Sequence, residues 1–113
     1  MSDPGSIVIT SVARTPMGGM LGELAPLSAP QLGASAIRAA VERSGLKPEA
    51  IEEVIFGCCL IAGLGQAPAR QAARGAGLPD SAGATQISKM CGCLLYTSPS
   101  PRDRSLSRMP SSA

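Results

Sequence analysis

The apolar positions of this chain change their spacing along its length, and each change marks an element. Residues 7–13 read Ile-Val-Ile-Thr-Ser-Val-Ala, a β-branched and apolar run that predicts a mostly buried strand. Arg14-Thr15-Pro16 ends it, because proline has no N–H to give to a ladder. The stretch from Met17 to Pro26 holds Gly18, Gly19 and Gly22 and reads as a loop, with Met17 and Met20 expected to pack.

The best-marked element comes next. Ser28 can cap a helix, and Gln31 three residues later completes a capping box. Pro30 falls in the first turn, where a missing N–H costs nothing, and Leu27 and Leu32 are spaced as a hydrophobic staple. Leu32, Ala36, Ile37, Ala40 and Val41 share one face, opposite Arg38, Glu42 and Arg43. Gly45 supplies a left-handed stop, and Pro48 prevents the helix from resuming.

A turn at residues 48–51 leads to a second buried strand at residues 54–58, Val-Ile-Phe-Gly-Cys. A glycine-bearing loop at residues 61–65 precedes a second helix, opened by Pro68 and running to about Arg74, with Gln66 as a candidate cap. Residues 78–83 form another loop, and residues 84–90 are extended and deliver the chain to Cys91. The order strand, helix, strand, helix, strand predicts an α/β layer with parallel strands.

From Cys93 the pattern disappears. Residues 96–113 hold six serines, three prolines and three arginines without an apolar period, so no core can be built from them. The expected division is therefore residues 1–92 as a partial domain and residues 93–113 as a non-native or disordered tail. This tail resembles the peptide obtained when sequencing-adapter DNA is translated.

Charge sharpens that division. Residues 1–92 carry seven basic and seven acidic side chains, so the net +2 of the chain arises wholly from Arg102, Arg104 and Arg108 against Asp103. A neutral front part gives no reason to expect nucleic acid or a membrane surface as partner. Phe56 and Tyr96 are the sole aromatic residues, which implies packing by Ala, Leu, Ile and Val. The start, Met-Ser-Asp-Pro-Gly, lacks the basic-then-apolar pattern of a secretory leader, and a reducing cytoplasmic compartment is expected.

Four cysteines occur, as Cys58-Cys59 and Cys91-x-Cys93, and there is no histidine. Cys58 and Cys59 close a strand and are expected in the core. Cys91-x-Cys93 makes a poor zinc site without histidine or further pairs, and no metal is expected. Gly63-x-Gly65 lacks the third glycine of a dinucleotide loop. Arg70 and Arg74 stand one turn apart and are expected on a solvated face or at a subunit contact.

Cys91 is the chemical candidate. A cysteine at the end of a buried strand, with a small glycine next, stands where a helix would begin. Free N–H groups and the positive end of the helix dipole would there favour the thiolate, the reactive form. Position alone fits an inert core cysteine equally well.

Three segments together resemble the thiolase family. Ala13-Arg14-Thr15-Pro16, followed by Gly19, is similar to the exit of the family's first strand. The run Gly63-Leu64-Gly65-Gln66-Ala67-Pro68-Ala69-Arg70-Gln71-Ala72-Ala73 is similar to its glycine loop and second helix. Ala84-Thr85 through Lys89-Met90-Cys91-Gly92 resembles the strand presenting the reactive cysteine. Order and spacing follow the family across residues 7–92, and the pattern departs where Cys93-Leu94-Leu95 replace Ser-Gly and a helix.

The resemblance implies a thiolase-like α/β fold, of which this chain would hold only the N-terminal βαβαβ layer. It implies an acyl-CoA acyltransferase of acetyl-CoA acetyltransferase type, with Cys91 as the acyl-accepting nucleophile and coenzyme A thioesters as substrates. No separate cofactor and no metal are implied. Histidines and a second cysteine from later in the family's sequence complete the site, and Cys93 does not qualify as that cysteine, since it follows the departure. This chain alone is therefore expected to be inactive. A homo-oligomer is implied for the full-length protein, with residues 86–90 as the interface segment. Two alternatives stand beside this reading: a non-catalytic binding or interaction domain of the same fold, and a condensing enzyme of the ketoacyl-synthase class.

Overall fold

The structure, a computed structural model, describes residues 4–91. Its first regular element is α1, Ala29–Ser44. The predicted capping box forms in both directions. The Gln31 amide donates to Ser28 Oγ at 3.4 Å, and the Ser28 amide donates to Gln31 Oε1 at 2.8 Å. Gly45 ends the helix at φ 74°, a left-handed geometry that a side chain would strain. A single 3₁₀ turn at Pro48–Ala50 then leads to β1, Glu53–Gly57. Helix α2 spans Pro68–Gly75 and β2 spans Gly83–Ile87.

β1 and β2 pair in parallel, with Val54 opposite Ala84 and Phe56 opposite Gln86. A period of two puts Val54, Phe56, Ala84 and Gln86 on the face turned to the helices, where each is buried or half-buried. Ile55, Thr85 and Ile87 share the other face and are exposed, Ile55 by 61%. The helices therefore cover one side of the pair. The core is built from Ala34, Val54, Ala73, Ala76 and Leu78, with Ile37, Val41, Ile51 and Phe56 packed against it.

Small side chains let the helices approach. A Cβ placed on Gly75 would lie 3.0 Å from the Ala34 Cβ, and Arg38 reaches across to donate to the Gly75 carbonyl at 2.6 Å. The buried face of α1 carries Pro30, Gly33 and Ala34, beside the half-buried Ile37 and Val41. Leu32, Ala36 and Ala40 occupy a neighbouring, half-buried flank. A groove along that flank is walled by Ala13, Arg14, Thr15 and Phe56. Among the described residues no helix is long and apolar enough to cross a membrane.

Three expectations are corrected here. Residues 7–13 are not a strand of the sheet: they lie outside the β1–β2 pair, with Ile7 and Ile9 101% and 87% exposed. Polar side chains tie this segment to α1 instead, Ser11 Oγ donating to the Ala40 carbonyl at 2.6 Å and Arg43 to the Val12 carbonyl at 2.9 Å. A β-branched run can extend, but a strand also needs a free edge in register. Met17 and Met20 are exposed rather than packed, because the Gly18–Gly22 turns carry them outward over no partner surface. Finally, the cap of α2 is Ala67 at φ 46°, without a side-chain cap bond, and Gln66 contributes only its carbonyl.

Candidate active site at the end of the parallel pair

Parallel strands bring their C-terminal ends to one edge, where open α/β sheets place their ligands. Here that edge carries the loop leaving β1, residues 58–67, and the segment leaving β2, residues 88–91. The ladder continues past its last pair, Gly57 and Ile87, because the Cys58 amide donates to the Ile87 carbonyl at 3.0 Å. One step further, Cys59 Sγ donates to the Lys89 carbonyl at 2.9 Å. Cys91 follows at once and is exposed. The helix turn expected to follow Cys91 falls outside the described residues, as do Cys93 and the whole of residues 93–113.

Cys58 and Cys59 are half-buried rather than in the core. Cys59 falls on the uncovered face of the sheet, while Cys58 follows Phe56 onto the helix side, beside Pro68 and Ala72, at the open end of the strand. Of the expected interface segment, Gln86 is half-buried and residues 87–90 are exposed. The Gln86 Oε1 atom is buried and has no hydrogen-bond partner among the described residues.

The loop leaving β1 is held from α2. Gln71 Nε2 donates to the Leu64 carbonyl at 2.6 Å and to the Gln66 carbonyl at 2.8 Å. That folds a stretch in which Gly63 and Gly65 both adopt positive φ, near 76° and 77°.

Arg70 and Arg74 both bond to the loop before β2 instead of standing free on α2. Arg70 donates to the Ala82 carbonyl at 2.7 Å and to the Asp80 carbonyl at 3.1 Å, and Arg74 bonds the Asp80 carboxylate. They clasp the loop that feeds β2, whose first amide, Gly83, donates to the Glu52 carbonyl at 3.0 Å. Arg70 thus acts at the start of β2, Gln71 on the loop leaving β1, and Cys59 beside the approach to Cys91. The sequence singled out none of them for this: Arg70 and Gln71 stand inside a family-like run, and nothing marks Cys59 apart from its neighbour.

A sequence model described as "Thiolase, N-terminal domain" matches residues 7–96. A cytosolic acetyl-CoA acetyltransferase of Gibberella zeae is 52% identical over 95 residues, covering 84% of this chain and 24% of that protein. A mitochondrial acetyl-CoA acetyltransferase of Xenopus tropicalis is 52% identical over 85 residues, covering 75% of this chain and 20% of that protein. The solved thiolase Acat5 of Ascaris suum, in complex with coenzyme A, superposes with a TM-score of 0.70 at 42% identity, over 72% of this chain and 21% of that one. The chain thus spans about a fifth to a quarter of the length of these relatives. The sequence match runs over residues 7–96 and the structural match over 72% of the chain, and the chain belongs to the thiolase family.

Proposed function

We propose that this chain carries the nucleophile half of an acyl-CoA acyltransferase of acetyl-CoA C-acetyltransferase type, with Cys91 as the acyl acceptor. The reading is supported most by one observation: in a thiolase-family chain, an exposed cysteine stands just beyond the C-terminal end of the parallel pair. The Cys91 thiolate attacks the carbonyl carbon of an acyl-CoA. The new carbon–sulfur bond forms as the old one breaks, and coenzyme A leaves as a thiolate that takes up a proton. A second acetyl-CoA, deprotonated at its methyl carbon, then attacks the acyl group. A carbon–carbon bond forms, Cys91 is released and a 3-ketoacyl-CoA results. Thiolysis by free coenzyme A is the same path reversed. The Ascaris relative, solved with coenzyme A, supports this substrate class.

Such chemistry also needs a base for the proton transfers and donors for the thioester oxygen. The 113 residues contain no histidine, and we place those groups in the portion of the relatives that this chain does not span. The chain by itself is accordingly inactive in turnover. The complete protein acts as a cytoplasmic homo-oligomer without metal or further cofactor. The cytosolic Gibberella relative supports that compartment, and the mitochondrial Xenopus relative is the counterweight that fractionation would resolve.

The test is iodoacetamide labelling at neutral pH with peptide mapping, in buffer and in urea. Cys91 is expected to react faster than Cys58 and Cys59 in buffer, and faster than Cys91 of the unfolded chain. The second comparison separates activation from exposure, since no folded thiol is more exposed than an unfolded one. Equal rates at all mapped cysteines, or a Cys91 rate no higher than in urea, would overturn the assignment.

A further inference from the structure

The β1–β2 ladder ends one residue short of where its hydrogen bonding ends. Gly57 and Ile87 are the last paired residues, and the Cys58 amide still reaches the Ile87 carbonyl at 3.0 Å. In a parallel ladder the next donor on this strand would be a backbone amide two residues on, that of Leu60, aimed at the Lys89 carbonyl. Instead the chain turns away after Cys59, toward Leu60 and the glycine loop, and the Cys59 thiol takes the position of that amide, 2.9 Å from the Lys89 oxygen. The neighbouring thiol does nothing comparable: Cys58 Sγ lies 3.8 Å from the Leu60 carbonyl of its own loop.

We propose that Cys59 is a positioning residue for Cys91, its thiol serving as one extra rung that carries the sheet past β2 and fixes the approach to the nucleophile. Three facts support the role. The bond spans thirty residues of sequence, so it joins two separate segments. Its acceptor lies two residues before Cys91. Between Ile87 and Cys91 the chain is exposed and without regular structure, so a tether there constrains more than it would inside a strand. The name positioning residue rests on Cys91 being the nucleophile, but the tether itself does not.

Amide hydrogen exchange on the 113-residue chain reads the tether directly, with three variants. Cys59→Ala and Cys59→Val remove the donor, the second while keeping an apolar side chain of similar size. Cys59→Ser restores a donor. The Cys58 amide, which bonds the Ile87 carbonyl at the end of the ladder next to the tether, is expected to exchange about five- to tenfold faster in both donor-lacking variants, the scale of one lost hydrogen bond, and at the native rate in Cys59→Ser. Peptides of α1 serve as the folding control, and if one donor-lacking variant loses their protection, the other decides. Native exchange in a folded donor-lacking variant, or fast exchange in Cys59→Ser, would overturn the rung. Iodoacetamide rates at Cys91 in the same variants then report on the nucleophile. If exchange behaves as expected but wild-type Cys91 is no faster folded than in urea, the tether stands and the nucleophile assignment falls.

Discussion

Gly33 lies directly beneath Phe56: a Cβ at residue 33 would come within 2.7 Å of the ring's Cε1 and 3.1 Å of the Ala72 Cβ. The ring belongs to β1 and Ala72 to α2, so this one missing methyl group sets the spacing of three elements. Alanine would add about 1 kcal/mol of helix propensity, but overpacking at two contacts costs about 1–3 kcal/mol. Gly33→Ala is therefore expected to destabilise the fold by about 1 kcal/mol, read as a lower urea midpoint at unchanged slope. A midpoint raised by the substitution would show that Phe56 yields freely into the groove beside α1.

Gly45→Ala tests a different cost at the other end of α1. Nothing lies within 4 Å of a Cβ there, and the φ of 74° is the sole obstacle. The expected loss is about 1 kcal/mol, from strain alone. Unlike the Gly33 variant, it should be recovered by Gly45→Asn, which tolerates the left-handed region; equal losses for alanine and asparagine would refute strain as the cause.

The clasp of α2 on the loop before β2 mixes two kinds of bond. Asp80 and Arg74 are 74% and 56% exposed at their side chains, and such a pair is worth about 0–1 kcal/mol. Arg70 binds backbone carbonyls, one of them on the buried Ala82, and its loss should cost about 1–3 kcal/mol. Arg70→Ala is thus expected to lower the urea midpoint more than Asp80→Ala. The Asp80 effect, which rests on ion pairs to Arg74 and Arg70, should fade more than the Arg70 effect when salt is raised to about 1 M. The opposite ranking would mean that the ion pair, not the carbonyl bonds, holds the loop.

Purified 113-residue protein is expected to show no thiolysis of acetoacetyl-CoA above buffer. The assay follows loss of the substrate with free coenzyme A present. Turnover abolished by Cys91→Ser would place the missing base within these residues and refute their insufficiency.

All described helices and strands precede Cys91. Deleting residues 94–113 is expected to leave the far-ultraviolet circular dichroism per folded residue little changed. A large loss of helical signal would show that the deleted residues support α1 or α2.

What the sequence revealed follows from how local each signal is. Helix α1 was legible to its ends, because Ser28, Gln31 and Gly45 act within a few residues of themselves. β1 and β2 were legible within one residue at their starts, since each runs between glycine- or proline-marked loops. Residues 7–13 carry an equally strong pattern and form no part of the sheet, because pairing depends on a distant edge that local sequence does not report. The same limit hid Cys59: its thiol is meaningful only through Lys89, and its apolar neighbourhood suggested the core. Arg70 and Arg74 looked solvated for the related reason that their acceptors are mostly backbone oxygens, which leave no mark on composition. Cys91 stood out through the company of family-like segments more than through any property of its own position.

The one-sided covering of β1 and β2 has a practical outcome. Ile55 and Ile87 form, with the open flanks of two unshielded strands, a strip able to recruit any extended apolar segment, and the chain supplies one in Ile7–Val8–Ile9. Handling this protein is therefore expected to be a matter of dilution before it is one of heat, with self-association through that strip rising with concentration while the helices on the opposite side stay intact.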